Sequence, residues 1–572
     1  MCPTGHIIPF EQELCVRPFS SPAGAGLAAS LTVSLAAALA LTLALAGCSA
    51  PAPSPAGDRA EGGRGEVDQI VLADGGDPGE FNPVSGYGST GVSPLYEGLL
   101  RPAAEDDSTL PRLEPALAAA EPEVSDDGLT WTIRLREGVR FHDGSQLDSG
   151  DVAATYRAVV DPRSASPIAS DYSTIEQVDT PDPLTVRFHL GAPDPGMPAR
   201  LLLGIAPSEA LTPGPASASV LNSEPVGTGP YRLDRLTAAE AVLEAFPEHR
   251  DGPPEVTRLV IRAVPDADAR AQMVRAGEVD GASLPPRLAE GLAGRDGLEL
   301  VSVASADWRT VALPMSHPFA GDPAARRALN VAVDRDGLVD RVLSGHGRPV
   351  ASPISAAYPE YEPSPFTEPR AAGERSVEAT EILRGAGWRP GDDGVLVRDG
   401  ERAEFTLAYP ATDPVRRELA SAFADQMREM GVAVTVWGGS WDQIERRIGE
   451  VAILLGGGDN PYTVDTQAYR ALHSRTAATG PLDNPGDFGD PRVDAALDAA
   501  RTTADPVERT EFYREAQRAY ARAPGHVFLA TLDHTYLLRD TGHTRPAPIL
   551  EPHTHGVTWG PWWSLASWTR DR

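Results

Sequence analysis

Hydrophobic and polar residues alternate, or recur at helical spacing, along most of this chain. Residues 131–136 alternate apolar and polar positions, Glu137-Gly138 forms a turn, and residues 139–141 resume the alternation before a second turn at Asp143-Gly144. Alternation of period two between turn residues is typical of paired strands. The stretch is therefore predicted to be a β-hairpin.

Apolar residues at three- and four-residue spacing predict several helices. Asp322-Pro323 combines an N-cap residue with a proline at the first helical position, and Gly431 has the residue type of a C-cap. Helices are predicted from Ser149 to Asp161, from Asp322 to Gly345, from 419 to 430, and from Trp441 towards Gly449.

Two apolar runs close to these last helices predict strands. Residues 432–437 follow Gly431 directly, and residues 451–455 form a short run with the length of a buried strand. Helices and strands thus alternate along the chain, which predicts the α/β class. No short-period repeat is present, so neither a solenoid nor a propeller is predicted.

The longest uncharged segment, residues 26–46, ends in Leu45-Ala46-Gly47-Cys48. Its length is close to that of a membrane span, so length alone does not exclude a membrane anchor. The ending resembles the bacterial lipobox, in which the chain is cut before the cysteine and the cysteine is acylated. We therefore expect a lipoprotein signal peptide over residues 1–47 and lipidation of Cys48.

The first residues fit a signal peptide poorly, because Glu11 and Glu13 precede the only early basic residue, Arg17. We hypothesise a downstream translation start near Val16. After Cys48, residues 48–65 are rich in proline and then in glycine, which predicts a flexible tether. The expected location is the outer side of the cell membrane, extracytoplasmic or periplasmic, with the lipid as anchor.

The amino-acid composition excludes several classes of function. About 500 residues with 41% hydrophobic content predict more than one lobe. The net charge of -31 argues against nucleic acid as a partner. Cysteines occur only at positions 2, 15 and 48, which excludes disulfides, thiolate catalysis and cysteine-ligated metals after Cys48. The chain has no lysine, so a Schiff base or P-loop lysine is excluded.

Several short motifs together resemble the family 5 extracellular solute-binding proteins, which are the dipeptide, oligopeptide and nickel receptors of ABC importers. Each motif alone is weak, whereas their order and spacing over nearly the whole mature chain are specific. They are residues 96–100, 131–144, 151–152, 225–231, 277–280, 327–335 and 386–388.

The resemblance implies an α/β, two-lobed periplasmic-binding-protein-like fold of the large cluster C type, in which closure of the lobes encloses a ligand. It implies a monomeric receptor without cofactor or catalytic activity that delivers peptides or oligopeptides to an ABC permease. It places the first lobe at 66–104, 220–306 and 535–572, its inserted subdomain at 105–219, and the second lobe at 307–534.

The resemblance also implies ligand-binding residues. Asp459 matches a carboxylate that pairs with the amino terminus of a bound peptide, although it could instead cap a turn before Asn460-Pro461. Trp441 matches a tryptophan of the pocket, although a tryptophan that begins a helix is as often a core residue. Tyr87, Trp308 and Tyr462 are further candidates for aromatic walls of the pocket.

Three alternatives remain at this point. Residues 460–469 and 546–551 look like the corresponding stretches of the nickel-binding members, which predicts a receptor for nickel or another metal chelate. His553 and His555 could bind a metal only if both point inward, and a solvated tail is the simpler interpretation. An exported hydrolase lacks support from a Gly-x-Ser-x-Gly or His-Glu-x-x-His motif. A signalling receptor that feeds no transporter is the third.

Overall fold

The structure is a computed structural model. It describes residues 68–571 except 77, 104–109, 355–357, 359–360, 362–365, 367–372, 459, 477–478 and 554–555. Among these residues, every helix is too short or too polar to cross a membrane. The signal peptide, Cys48 and the tether predicted from the sequence lie outside the described residues.

The described chain alternates strands and helices throughout. The strands are β1 Gln69–Asp74, β2 Leu100–Pro102, β3 Leu113–Pro115, β4 Glu123–Val124, β5 Thr130–Arg134, β6 Ile175–Asp182, β7 Thr185–Leu190, β8 Tyr231–Leu236, β9 Glu240–Ala245, β10 Arg258–Ala263, β11 Gly281–Ser283, β12 Leu298–Ala312, β13 Gly347–Pro349, β14 Arg389–Pro390, β15 Leu396–Arg398, β16 Glu401–Arg402, β17 Glu404–Pro410, β18 Ala433–Gly439, β19 Ala452–Gly457, β20 His526–Arg539, β21 His543–Thr544 and β22 Thr569–Arg570.

The α-helices are α1 Ser149–Val160, α2 Met197–Arg200, α3 Ala267–Ala276, α4 Pro286–Leu292, α5 Pro323–Ala332, α6 Arg335–Val342, α7 Glu374–Gly385, α8 Pro414–Glu429, α9 Trp441–Glu445, α10 Val464–Leu472, α11 Pro491–Thr502 and α12 Pro506–Tyr520.

One large sheet runs through the molecule in the order β18-β17-β19-β12-β20-β11-β1-β10-β9-β8, with β13 added beside β20. We call the part around β1 and β8–β11 the first lobe and the part around β17–β19 the second lobe. The long strands β12 and β20 belong to both. Their register shifts between Ala304 and Trp308, at the crossing from one lobe to the other.

The crossing strands change partners at that irregularity. Before it, β12 pairs with the second half of β20, which also pairs with β11 of the first lobe. After it, β12 pairs with the first half of β20 and with β19 of the second lobe. The lobes are therefore joined by two long strands that pair with each other on both sides of the irregularity.

A separate four-stranded sheet, β4-β5-β7-β6, packs with α1 around its own hydrophobic core, which includes Ile133, Tyr156 and Phe188. This inserted subdomain reaches the second lobe through α2 and the residues before it. The sequence boundaries predicted for the lobes and for the inserted subdomain are not tested by these contacts and stay a prediction.

Several predicted elements are confirmed. Helix α1 begins after Asp148, whose side chain caps it together with Asp151, and it ends at Asp161. Helix α8 is followed by Gly431 at a φ of 80°, which a glycine adopts without strain. The apolar run at 451–455 falls on the buried strand β19.

Two predicted elements are wrong. The stretch after β5 is not the second strand of a hairpin, because β5 pairs with β4 and β7, and Arg140 instead makes an isolated bridge with Gln146 across the following turn. The helix predicted from Asp322 to Gly345 is split into α5 and α6. It breaks there because Asp334 turns its side chain back to cap α6 at Gly337.

Candidate functional site

A cavity of about 960 Å³ lies between the two lobes on one face of the crossing strands. One wall consists of Asp74 at the end of β1 with Gly75 and Gly76 after it, and of residues 283–286, which run from the end of β11 to the start of α4. The other wall consists of residues 411–415, which include the loop from β17 to α8 and the first two residues of α8. The strands β1, β10 and β11 run parallel, as do β17, β18 and β19. The cavity thus lies at the carboxyl ends of parallel strands, where open α/β sheets bind ligands.

The first-lobe wall is held rigidly. Asp74 accepts hydrogen bonds from the backbone N–H groups of Gly75 at 2.7 Å and Val557 at 3.0 Å. Arg270, which is buried, donates to the carbonyl oxygens of Val264 at 2.7 Å and Ser283 at 3.0 Å. A side chain at Gly75 would meet the Arg270 guanidinium, so glycine is needed for this close packing.

A buried ionic cluster occupies the crossing between the lobes. Asp307 has no exposed surface and accepts from the rings of His534 at 3.1 Å and His553 at 2.5 Å, and it also pairs with Arg309. The other ring nitrogen of His534 lies 2.5 Å from Glu551, which in turn accepts from the Tyr536 hydroxyl at 2.8 Å. Three chain segments that connect the lobes therefore meet in one hydrogen-bond network.

Opposite charges set the protonation of this cluster. Burial alone would raise the pKa of Asp307, but the charges of Arg309 and His553 and the hydrogen bonds from the two histidines hold it well below its usual value. Burial opposes protonation of His534, yet its hydrogen bonds to Asp307 and Glu551 raise its pKa to about 9. Burial raises the pKa of Glu551. His534 is thus a cation at neutral pH.

A smaller cavity of about 120 Å³ separates the inserted subdomain from the second lobe. Asp465 of α10 lines this cavity and forms an ion pair with Arg501 of α11, which donates hydrogen bonds to both Asp465 oxygens at 2.9 and 2.8 Å. Arg200 of α2 reaches Asp465 at 3.5 Å and Asp194 at 3.9 Å. These contacts tie the inserted subdomain to the second lobe.

The aromatic residues predicted for the pocket do not gather in one place. Trp308 is buried against Phe528 in the core of the second lobe, and Trp441 packs on the same core with the Arg416 guanidinium 5.6 Å from its ring centre. Tyr462 lines the smaller cavity. Tyr87 packs at the edges of Phe81 and Tyr96.

Burial raises the pKa of Tyr87 to about 12, and it also raises the pKa of Tyr462. The Tyr462 hydroxyl is buried with no hydrogen-bond partner among the described residues, which leaves it available to a ligand. Asp459 and His555 lie outside the described residues. The interpretation of His553 as part of a solvated tail is wrong. Its ring donates a hydrogen bond to the buried carboxylate of Asp307 on β12.

Sequence reasoning did not single out Asp307, Arg309, His534 or Arg416. The four residues come from three distant segments, and only the fold brings them together. A charged residue inside an apolar strand is the one available signal, and Asp307 and Arg309 flank Trp308 in such a strand.

Among the described residues, no cluster of histidine and carboxylate side chains could hold a metal ion.

Comparisons with known proteins agree with this architecture. A family model described as bacterial extracellular solute-binding proteins, family 5, middle region, matches residues 112–479. Protein XP55 of Streptomyces lividans is 39% identical over 487 residues, which are 85% of this chain and 87% of XP55. The glutathione-binding protein GsiB of Salmonella paratyphi A is 29% identical over 420 residues, 69% of this chain and 76% of GsiB.

Among solved structures, NikZ from Campylobacter jejuni in complex with Ni(L-His) has a similar fold. Its TM-score is 0.78 with 25% sequence identity, and the match covers 88% of this chain and all of NikZ (100%).

Proposed function

The chain belongs to the bacterial extracellular solute-binding proteins of family 5, and from this premise we propose that it binds a peptide between its lobes and delivers it to an ABC permease. In this proposal the protein acts as a receptor with no chemistry of its own. It works outside the cytoplasm as a monomer, held at the cell membrane by a lipid on Cys48 after removal of residues 1–47.

The cavity between the lobes is the observation that supports the proposal most directly. Its walls carry both signs of charge, with Asp74 and Asp413 facing the same space as Arg309 and Arg417. A peptide with free ends has an ammonium group and a carboxylate group, so such a cavity complements it at both ends. The similarity to GsiB, a glutathione-binding protein, supports a short peptide in particular.

The proposed contacts of the amino end rest on sequence. Asp459 stands two residues after β19 in the sequence, and we assign it to the ligand ammonium. Tyr462, which lines the smaller cavity, and Trp441, which packs on the core of the second lobe, are proposed to supply aromatic surface to the ligand. Trp308 and Tyr87 stay weaker candidates for ligand contact, because both pack against core residues.

Native mass spectrometry tests the proposal. The full chain, isolated without denaturation from the cells that express it, is expected to carry small peptides that dissociate on activation in the gas phase. The Asp459→Ala variant is expected to lose them, whereas Asp442→Ala on the nearby helix α9 is expected to keep them. Isolation of the chain with no bound small molecule, together with failure to take up added peptides, would contradict the proposal.

A receptor for a metal chelate is the second candidate, and the similarity to NikZ in its Ni(L-His) complex favours it. Native mass spectrometry of the same sample distinguishes the peptide proposal from the metal-chelate proposal. Nickel or another metal bound together with a small chelator would replace the peptide proposal, and Asp459 would then be a turn residue.

A further inference from the structure

We propose that helix α4 holds the two lobes together even when no ligand is bound. Its residues Arg287 and Glu290 contact three residues of the second lobe, which are Arg341, His346 and Glu418. We call this set of contacts the α4 latch. The inference goes beyond the proposed function, because it concerns the resting position of the lobes and not the ligand.

The two sides of the α4 latch belong to different lobes. Helix α4 follows β11 of the first lobe and packs on the crossing strands β12 and β20. Helix α8 packs on β17 and β18 of the second lobe, and α6 packs on α8. His346 lies in the loop that joins α6 to β13. The latch contacts therefore run from one lobe to the other.

Arg287 caps a helix of the opposite lobe. Its guanidinium donates a hydrogen bond to the carbonyl oxygen of Arg341, in the last turn of α6, at 2.6 Å. The last carbonyl groups of a helix lack intrahelical partners and lie at the negative end of the helix dipole, so a cation there is stabilising. Arg287 also lies 3.7 Å from the carboxylate of Glu418, a largely exposed ion pair that adds less.

Both ring nitrogens of His346 bond to residues on the first-lobe side of the crossing. Nε2 donates to the Glu290 carboxylate at 2.8 Å, and Nδ1 lies 2.8 Å from the hydroxyl of Ser302, which precedes the irregularity of β12. Only 13% of the His346 side chain is exposed, so water competes little for these hydrogen bonds. His346 thus ties its loop to the first lobe at two points.

The α4 latch closes one side of the cavity between the lobes. Pro286, the first residue of α4, and Val415, the second residue of α8, line opposite walls of this cavity. Arg287 follows Pro286 directly and meets Glu418 just beyond Val415. The walls cannot separate on this side unless the latch contacts break, so each contact favours the arrangement in which the lobes are together.

The resting position of the lobes is therefore set in part by the protein itself. A ligand that stabilises closure adds to contacts that already exist between the lobes, and it enters the cavity when the latch opens.

Single-molecule fluorescence energy transfer measures this resting position. Donor and acceptor dyes are attached to the full chain through unnatural amino acids at Gln272 of α3 and Asp425 of α8, which are both exposed. These helices begin at opposite walls of the cavity, so closure brings the dyes together. Native mass spectrometry verifies that the sample holds no small molecule. The unmodified protein is expected to have at least as many molecules in the short-distance state as in the long-distance state.

Matched variants locate the effect. Arg287→Ala, Glu290→Ala and His346→Ala are each expected to lower the ratio of short-distance to long-distance molecules at least threefold. The double variant of Glu290 and His346 should match His346→Ala alone, because both changes remove the same contact. The double variant of Arg287 and His346 should show the product of the two single effects.

Arg295→Ala is the control, because Arg295 is an exposed arginine in the loop after α4, and it should leave the ratio unchanged. Melting temperatures identify any variant that fails to fold. A single long-distance population in the unmodified protein would overturn the α4 latch, and so would latch variants whose ratios equal that of Arg295→Ala. A mixture of tripeptides that shifts neither population would contradict the proposed function and leave the latch intact, so the two failures are distinguishable.

Discussion

At the scale of single residues, the stability of the crossing between the lobes depends on the protonation of His534. His534 lies between Asp307 and Glu551, and the groups that face this network from other segments are Arg309, His553 and Tyr536. Since two carboxylates share one imidazolium, loss of its proton would leave buried negative charge on both sides of the ring. The junction of the lobes is therefore sensitive to alkaline conditions.

Stability is expected to fall as pH rises above neutrality. The pKa of His534 is raised to about 9 in the folded protein, whereas a histidine of the unfolded chain titrates near 6.5. The folded state thus holds the proton more tightly, so the stabilisation is complete below about pH 6.5 and is lost as pH rises through about 9. Melting temperatures between pH 6 and 9.5 measure this slope.

The variant His534→Gln should flatten the slope over that range, because it removes the titrating group. His189→Gln is the matched control, as His189 is partly exposed and pairs with the partly exposed Asp179. Identical slopes for the unmodified protein and the His534 variant would show that other groups govern the alkaline loss of stability.

At the scale of elements, the pairing of β12 with β19 depends on two adjacent glycines. Gly457 pairs with Trp308 in register, and a Cβ atom at Gly457 would overlap the Trp308 indole. Gly456, on the opposite face, leaves room for the guanidinium groups of Arg309 and Arg416. The strand can thus hold a large aromatic ring on one face and charged groups on the other.

Replacement of Gly457 by alanine is expected to lower the free energy of unfolding by about 1–3 kcal/mol, because a buried tryptophan would have to move. Gly385→Ala at the end of α7 is the control, since nothing lies within 4 Å of a Cβ there, and it should leave stability unchanged or raise it by about 0.5–1 kcal/mol. Urea unfolding followed by tryptophan fluorescence measures both. A loss of the same size in the two variants would contradict the packing argument.

Elements were predictable from sequence where the signal was local. Asp148 before α1, Gly431 after α8 and the apolar run of β19 are caps or runs of a few residues, and each predicted element exists. The supposed hairpin failed because the true partner of β5 is β7, about 50 residues downstream, and no local pattern encodes such a pairing. The same reason explains why Arg416 was not recognised, since only the fold brings it to Arg309.

At the scale of the whole molecule, buried ion pairs hold the inserted subdomain against the second lobe. Arg200 of α2 and Arg501 of α11 both contact Asp465, and all three side chains are largely buried. The contact between Arg200 and Asp465 exists only while the subdomain and the second lobe are together. It therefore stabilises the arrangement in which the inserted subdomain and the second lobe enclose the smaller cavity, and separation of the two bodies would cost this buried ion pair.

Removal of this contact is expected to speed ligand release. Arg200→Gln should raise the dissociation rate of the bound ligand by about tenfold or more, equivalent to about 1.4 kcal/mol. Arg492→Gln, which removes an exposed arginine of α11, should leave the rate unchanged. Chase of the bound ligand by excess free ligand measures the rate. Equal rates in the two variants would assign the Arg200 contact to the internal stability of the subdomain instead.

The two crossing strands also impose an order on how the protein is made. The first lobe begins with β1 at Gln69, yet its sheet is closed only when β20 pairs with β11. Near the end of the chain, His543 and Arg570 both contact Asp68, directly before β1. The first lobe can therefore be completed during synthesis only after the ribosome has translated β20 and the segment that reaches Arg570, so cotranslational folding cannot finish this lobe earlier.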